Sequence, residues 1–121
     1  MNFSYLASPY SAKTPQQRKA RFKEVCRKAA ELMLKGELIF CPIAHSHPIE
    51  VEGMDEVKDG EFWLKQDFAV LQHAKKLLVY KMDGWDKSHG IAAEIKFAQE
   101  LNIPVEYLEP NDKQRIIKEA A

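Results

Sequence analysis

The segment from Asp83 to Glu94 contains the most suggestive group of chemically useful residues in the chain. Ser88 is a favoured helix N-cap, and the backbone amides that follow such a cap can bind an anion. Gly90 has no side chain, so a ligand can approach the backbone closely there. Glu94 lies six residues after the cap, and within two helical turns its carboxylate can face the same ligand. The alternative is an ordinary cap followed by a solvated glutamate.

Histidines form a second group of candidates. His45 and His47 are two residues apart, and with Glu50 or Glu52 they offer the residue types of a metal site. Side chains two apart in an extended segment point the same way, but no clear third ligand is present. We therefore expect these histidines to line a pocket or to form hydrogen bonds, with no metal. His89, beside the cap serine, either contacts a ligand or belongs to a solvated helix start.

Two tryptophans offer large apolar surfaces that can stack on a base or pack against protein. Trp85 follows Gly84 in a segment that we expect to face the ligand, so we place Trp85 in the site. Trp63 has no such neighbour, and we expect it to pack.

The elements that must position these residues alternate along the chain. Apolar runs, with their breakers and caps, predict four strands and three main helices. The predicted strands are Phe3–Ala7, Leu38–Cys41, Lys76–Met82 and Pro104–Tyr107. The predicted helices cover about 15–35, 60–73 and 88–101, and Asn111 is a possible cap for a short C-terminal helix. The sequence 42–54, which contains both loop histidines, is predicted as a long loop.

Strands that alternate with helices predict an α/β fold, a single Rossmann-like three-layer domain with a mainly parallel sheet of four to five strands in a flavodoxin-like topology. In such sheets, ligands bind at the carboxyl ends of the strands, near the point where the strand order reverses. That rule selects three segments: Ser8–Lys13, Pro42–Met54 and Met82–Ser88.

Composition limits the class of protein. The chain has 121 residues, 45% of them hydrophobic, so we expect residues 1–121 to form one domain. Its 18 basic and 18 acidic side chains cancel, which argues against a nucleic-acid or membrane surface as partner. The first residues lack a signal-peptide pattern and no apolar run is long enough to cross a bilayer, so we expect a cytoplasmic protein.

Cysteines and glycines indicate neither a disulfide framework nor a known cofactor loop. Cys26 and Cys41 lack metal-ligand spacing and are interpreted as reduced core residues. Gly84 and Gly90 are too sparse for a dinucleotide or Walker phosphate loop, so no cofactor is expected.

Several of these motifs resemble the nucleoside 2-deoxyribosyltransferase and deoxynucleotide N-glycohydrolase superfamily. The resemblance rests on Tyr5 to Ser11, Asp67, Ser88 to Gly90 and Glu94, in this order along the chain. Within that superfamily the chain is most similar to a small bacterial and phage family, the DUF1937 domain family, through Tyr5 to Ser11, His45 to Pro48, Gly84-Trp85 and Ser88 to Glu94. The similarity spans about residues 3–108.

The resemblance implies roles for three residues. The glutamate that matches Glu94 attacks the anomeric carbon of a 2-deoxyriboside and expels the base, and water or a second base then takes the sugar. Asp67 matches an acidic partner that orients the sugar or handles the proton; its alternative is a solvated helix aspartate. The hydroxyl of Tyr5 would orient Glu94; its alternative is a packed strand tyrosine.

The resemblance also bears on the substrate. Ser88 corresponds to a residue that holds a 5′-phosphate in the hydrolase branch, which favours a deoxynucleoside monophosphate. That branch has an arginine shortly after the first strand, where this chain has Ser11. Arg18 or Arg21 would have to substitute for it.

Three kinds of function remain open. They are cleavage or exchange of an N-glycosidic bond, non-catalytic binding of a nucleotide or nucleotide signal, and a structural module. The expected partner is a small nucleoside or nucleotide, and the resemblance implies a homo-oligomer. Besides the three residues with implied catalytic roles, the predicted ligand-binding residues are Ser8, Pro9, Tyr10, His45, Trp85, Ser88, His89 and Gly90.

Overall fold

The computed structural model describes residues 2–110, which form alternating strands and helices. The strands are β1 (Ser4–Ala7), β2 (Ile39–Phe40), β3 (Lys76–Tyr80) and β4 (Val105–Leu108). The helices are α1 (Pro15–Leu34), α2 (Pro42–Gly53), α3 (Gly60–Leu71) and α4 (His89–Glu100), with a short 3₁₀ turn at Trp85–Lys87. Asn111, the possible cap of a C-terminal helix, lies outside the described residues.

All strand pairs are parallel, and the four strands that the described residues form lie in the order β2-β1-β3-β4. The α/β fold with a parallel sheet is therefore confirmed. Side chains of one sheet face, including Leu6 and Tyr80, pack against Val25 of α1 and the start of α2. Those of the other face, including Tyr5 and Val79, pack against α3 and α4. Because alternate strand residues point to opposite faces, both faces are buried and the domain has three layers.

Local caps fix two of the helices that approach the site. Thr14 and Gln17 form the capping box at the start of α1, and Pro15 occupies the first helical position. At α4, Ser88 is the N-cap and its side chain accepts a hydrogen bond from the amide of Ile91 at 3.2 Å. Both helix starts agree with the sequence-based prediction.

The segment 42–54 differs from the prediction, because it forms the helix α2 and not a loop. Pro42 suits the first helical turn, but Pro48 lies inside the helix, where it cannot donate a backbone hydrogen bond. The sequence pattern predicts a loop here, because the segment contains two prolines and two histidines and has little apolar periodicity. It is stabilised by tertiary packing, with Pro42 and Glu50 buried against the rest of the domain.

The order of the strands creates a crevice beside β1. The chain passes from β1 outwards to β2, and then returns across β1 to form β3 on its other side. The connections that leave β1 and β3 therefore run in opposite directions. A crevice opens between the carboxyl ends of these two strands. Within residues 2–110 no helix has the length and apolar character that crossing a membrane requires.

Candidate active site

A cavity of about 680 Å³ opens at the carboxyl edge of the sheet. Its walls come from the three strand-end segments that the sequence selected and from one face of α3. The α3 residues in the wall are Gly60, Trp63, Leu64 and Asp67. Their spacing of three, four and seven residues places them along a single stripe of the helix. The volume lies in the range of small-molecule sites.

Glu94 lies at the inner end of this cavity and is 5% exposed. The hydroxyl of Tyr5 donates a hydrogen bond of 2.5 Å to Glu94 Oε2, and the Tyr5 side chain is fully buried behind it. Tyr5 is fixed because β1 pairs with β2 and β3 on both sides. The sheet thus holds the tyrosine, and the tyrosine holds one oxygen of the carboxylate.

Asp67 lies in the wall of the same cavity and alters the electrostatics of Glu94. Burial raises the pKa of Glu94 to about 8; the Tyr5 hydrogen bond opposes that rise, and the charge of Asp67 adds to it. Burial also raises the pKa of Asp67 to about 7. Two carboxyl groups therefore change charge near neutral pH, which acid, base or nucleophilic chemistry requires.

The start of α4 forms another part of the wall, with Ser88, His89 and Gly90 against the cavity. Because this is the positive end of the helix dipole, it favours an anionic group of a ligand. Ser8 contributes from β1's end, and its buried Oγ has no hydrogen-bond partner among the described residues. A ligand can supply that partner.

Two arginines of α1 also line the cavity. Arg18 donates to the carbonyl of Ala12 at 2.9 Å, so it braces the segment after β1. Arg21 donates to the carbonyl of Ser11 at 2.7 Å and to that of Asp83 at 3.4 Å, which joins the segments after β1 and β3.

Gly84 is required beside Arg21. Its φ of +90° is unfavourable for other residues, and an added Cβ would lie 2.8 Å from Arg21 Nη2. This close approach places a guanidinium in the wall near the start of α4.

A second group of polar residues in the wall was not predicted as a unit. It comprises Tyr10, His47, Glu50 and Trp63, which we call the Glu50 cluster. The indole of Trp63 donates to Glu50 Oε2 at 3.0 Å, and Tyr10 lies 2.6 Å from His47 Nδ1 and 3.4 Å from Glu50 Oε1. The sequence offers one signal for it, since Trp63 precedes Asp67 by one helical turn.

Three predicted binding residues lie away from the cavity wall. Pro9 is fully buried, and His45 is exposed with its ring against Phe40. The ring of Trp85 packs edge-on against Tyr107 at 5.7 Å between centroids. Trp63, expected to pack, instead takes the position in the wall.

The two cysteines and the candidate metal ligands do not form a disulfide or a metal site among the described residues. Cys41 is buried, Cys26 is half-buried, and both are free thiols. Within residues 2–110, no group of three or more histidine, cysteine, aspartate or glutamate side chains is arranged to hold a metal ion.

The family model described as "Domain of unknown function (DUF1937)" matches residues 2–109. The chain belongs to the DUF1937 family. The match includes the whole described fold except Pro110, so every segment of the cavity wall lies within the DUF1937 domain. The comparison with curated proteins gives no match.

Proposed function

We propose that this DUF1937 domain cleaves or exchanges the N-glycosidic bond of a 2-deoxynucleoside, or of its 5′-monophosphate, with Glu94 as the nucleophile. The observation that carries this proposal is a buried Glu94, held by Tyr5 at the inner end of a nucleoside-sized cavity that it shares with Asp67. The resemblance of these residues to the nucleoside 2-deoxyribosyltransferase superfamily supports it.

The first half of the reaction forms an ester between the sugar and the enzyme. A Glu94 oxygen attacks the anomeric carbon while the bond from that carbon to the base nitrogen breaks. The electron pair of this bond goes to the base, and protonated Asp67 supplies the proton that makes the base a neutral leaving group.

The second half releases the sugar from Glu94. Water, or the nitrogen of an acceptor base, attacks the anomeric carbon, and its proton goes to ionised Asp67. The bond to Glu94 breaks, which restores the carboxylate. Hydrolysis and transfer thus differ only in which nucleophile occupies the space that the first base has left.

Tyr5 acts as a positioning residue in this scheme. Its hydroxyl binds Oε2 of Glu94, so Oε1 is left to face the anomeric carbon. A fixed carboxylate needs less reorganisation on the way to the transition state than a mobile one.

A 5′-phosphate is the anion that best suits the wall formed by the start of α4 and Arg21. The start of α4 and the guanidinium of Arg21 meet at the segment after β3. Arg18 and Arg21 supply the positive charge that Ser11, at the position of the family enzymes' arginine, does not supply.

The test is release of free base, measured by chromatography. Purified protein is incubated with deoxynucleosides, their monophosphates and the ribose equivalents, with and without an acceptor base. Glu94→Gln keeps the size of the side chain and removes the nucleophile, and Glu100→Gln, an exposed glutamate of the same helix, is the matched control. Equal base release by Glu94→Gln and by the parent would refute the proposed mechanism.

The second candidate function is a non-catalytic nucleotide-binding module. It is favoured by the pKa of about 8 for Glu94, because the carboxyl is then mostly protonated, and a poor nucleophile, at pH 7. Saturable binding of a nucleotide, without base release at any pH from 6 to 9, would select this function.

A further inference from the structure

The Glu50 cluster contains a buried carboxylate with unused hydrogen-bonding capacity. Glu50 is 6% exposed and lines the cavity. A carboxylate accepts about four hydrogen bonds. Among the described residues, only Trp63 and Tyr10 donate to it, and no ion pair involves it.

Tyr10 is the weaker of those two donors. Its single hydroxyl proton can go to His47 at 2.6 Å or to Glu50 Oε1 at 3.4 Å, and the shorter contact is the better hydrogen bond. Burial lowers the pKa of His47, which favours the neutral ring, and in the tautomer without a proton on Nδ1 this nitrogen accepts the Tyr10 proton. Glu50 Oε1 is then left to accept from a ligand.

The position of the cluster relative to Asp67 indicates which part of a ligand reaches it. Trp63 and Asp67 are four residues apart on the wall stripe of α3, about one turn or ~5.4 Å along the helix. Asp67 is assigned to the leaving base nitrogen, so a base that extends along this wall from Asp67 towards Trp63 reaches Glu50, the partner of the Trp63 indole.

We propose that Glu50 recognises the base, by accepting a hydrogen bond from the exocyclic amine of an amino-bearing nucleobase. This inference rests on the proposed function, because that function places the leaving base beside Asp67 and therefore within reach of Glu50. Glutamate is a general acceptor for such amines in nucleic-acid recognition. A carbonyl oxygen at the same position would face the carboxylate with like partial charge, so a base that presents a carbonyl to Glu50 is disfavoured.

The test uses two pairs of nucleotides. Guanine differs from hypoxanthine only by its exocyclic amine, and cytosine differs from uracil by an amine in place of a carbonyl and by the absence of a proton on N3. Titration calorimetry on Glu94→Gln, which prevents turnover, compares the 2′-deoxy monophosphates of guanine with hypoxanthine and of cytosine with uracil. In at least one pair we expect the amino-bearing nucleotide to bind about tenfold or more tightly. Equal or reversed affinity in both pairs overturns the proposal, whether or not any further variant folds.

Glu50→Gln, made in the same background, assigns the preference to this residue. A glutamine has one oxygen and one amide donor, so it can accept from Trp63 or from the ligand amine, but not from both. We expect the preference to fall to about threefold or less. Glu52→Gln, an exposed glutamate of the same helix, should leave it unchanged. A preference that survives Glu50→Gln overturns the assignment.

The two proposals fail in different ways. Base release that depends on Glu94, without an amine preference, rejects the role of Glu50 alone. An amine preference that depends on Glu50, without base release, rejects catalysis and keeps the binding site. No saturable binding of any of the four nucleotides rejects the role of Glu50, and base release from the wider set of nucleosides then decides the proposed function by itself.

Discussion

The cavity has a buried glutamate at each of two positions, and their surroundings differ. Glu94 receives a 2.5 Å hydrogen bond from Tyr5 and shares its environment with a second carboxyl group, Asp67. Glu50 receives a 3.0 Å hydrogen bond from the Trp63 indole and lies beside the neutral hydroxyl of Tyr10. At Glu94, burial and the neighbouring Asp67 outweigh the Tyr5 hydrogen bond and raise the energy of the charged carboxylate, whereas at Glu50 the two hydrogen-bond donors are both neutral.

This difference supports the proposed division between reaction at Glu94 and recognition at Glu50. A carboxyl group whose charged form is disfavoured gains by forming a bond, whereas one that lies among neutral hydrogen-bond donors can accept further hydrogen bonds from a ligand. Under the two proposals the same residue type serves two purposes in one cavity, and substitutions at the two positions should have different kinetic signatures.

The largest expected effect is at Glu94. Glu94→Gln should lower kcat for base release by about 10³-fold or more, because the covalent route is lost. Glu50→Gln should mainly raise KM for the amino-bearing substrate, by about tenfold, with kcat changed much less. Steady-state kinetics on both variants measures this contrast. If Glu50→Gln lowered kcat as strongly as Glu94→Gln, the division between reaction and recognition would be wrong.

The next effect is at Asp67, the proposed acid. Asp67→Asn should lower kcat by about 10²- to 10³-fold with ordinary bases. A substrate whose base is already positively charged, such as 7-methylguanine, needs no proton to leave, so its rate should fall by less than about tenfold. Gln66→Ala, at the neighbouring exposed position of α3, is the control and should change neither rate. Equal losses for both kinds of substrate would show that Asp67 has another role.

The pH dependence of kcat/KM should follow the carboxyl pair. The active form needs ionised Glu94 and protonated Asp67, whose pKa values are about 8 and about 7, so the profile should be bell-shaped with its maximum between them. Asp67→Asn should leave only a rise to a plateau. Tyr5→Phe removes the hydrogen bond that lowers the pKa of Glu94, so in the Asp67→Asn background it should move this rise to higher pH. An unchanged profile in Tyr5→Phe would contradict the positioning role.

The smallest effect is on stability. Because the pKa of Glu94 is raised from 4.5 to about 8 on folding, the folded state holds a proton that the unfolded state releases between those values. The stability that this protonated group contributes is complete below pH 4.5, and it is lost as pH rises through about 8. Because glutamine does not ionise, the Glu94→Gln variant should not lose this stability as pH rises.

Thermal unfolding of Glu94→Gln and the parent at about pH 5 and about pH 8 measures this contribution. The variant should exceed the parent by on the order of 5 °C at the higher pH, and by much less at the lower one. Glu100→Gln, which is exposed, should show no such pH dependence. A difference that is the same at both pH values would mean that the carboxyl of Glu94 is not the cause.

Particular residues show how much of the site was predictable. Thr14, Pro15 and Gln17 fixed the start of α1, and Ser88 fixed that of α4, since caps act on amides within the same turn. The order of elements then located the carboxyl edge of the sheet. The helix α2 was missed, because its prolines and weak periodicity favour a loop when tertiary packing is ignored.

The Glu50 cluster was missed for a related reason. Glu50 and His47 lie on α2, Tyr10 on the segment after β1, and Trp63 on α3. With α2 interpreted as a loop, nothing in the spacing of these residues brings them together. The contact of Trp85 with Tyr107 was also missed. Tyr107 lies on β4, and the spacing of the two residues along the chain gives no sign that their rings meet.

The sequence by itself determined the alternating elements, the parallel sheet, the DUF1937 family and the identity of the residues at the strand ends. These follow from periodicity, caps and motif order, which are local properties of the chain. The family resemblance suggested that Tyr5 orients Glu94 beside Asp67, whereas the tertiary structure decided the distance and burial of that contact and the place of Glu50 in the same cavity. Those contacts join residues up to 89 positions apart, and their strength depends on burial, which only the packed fold creates.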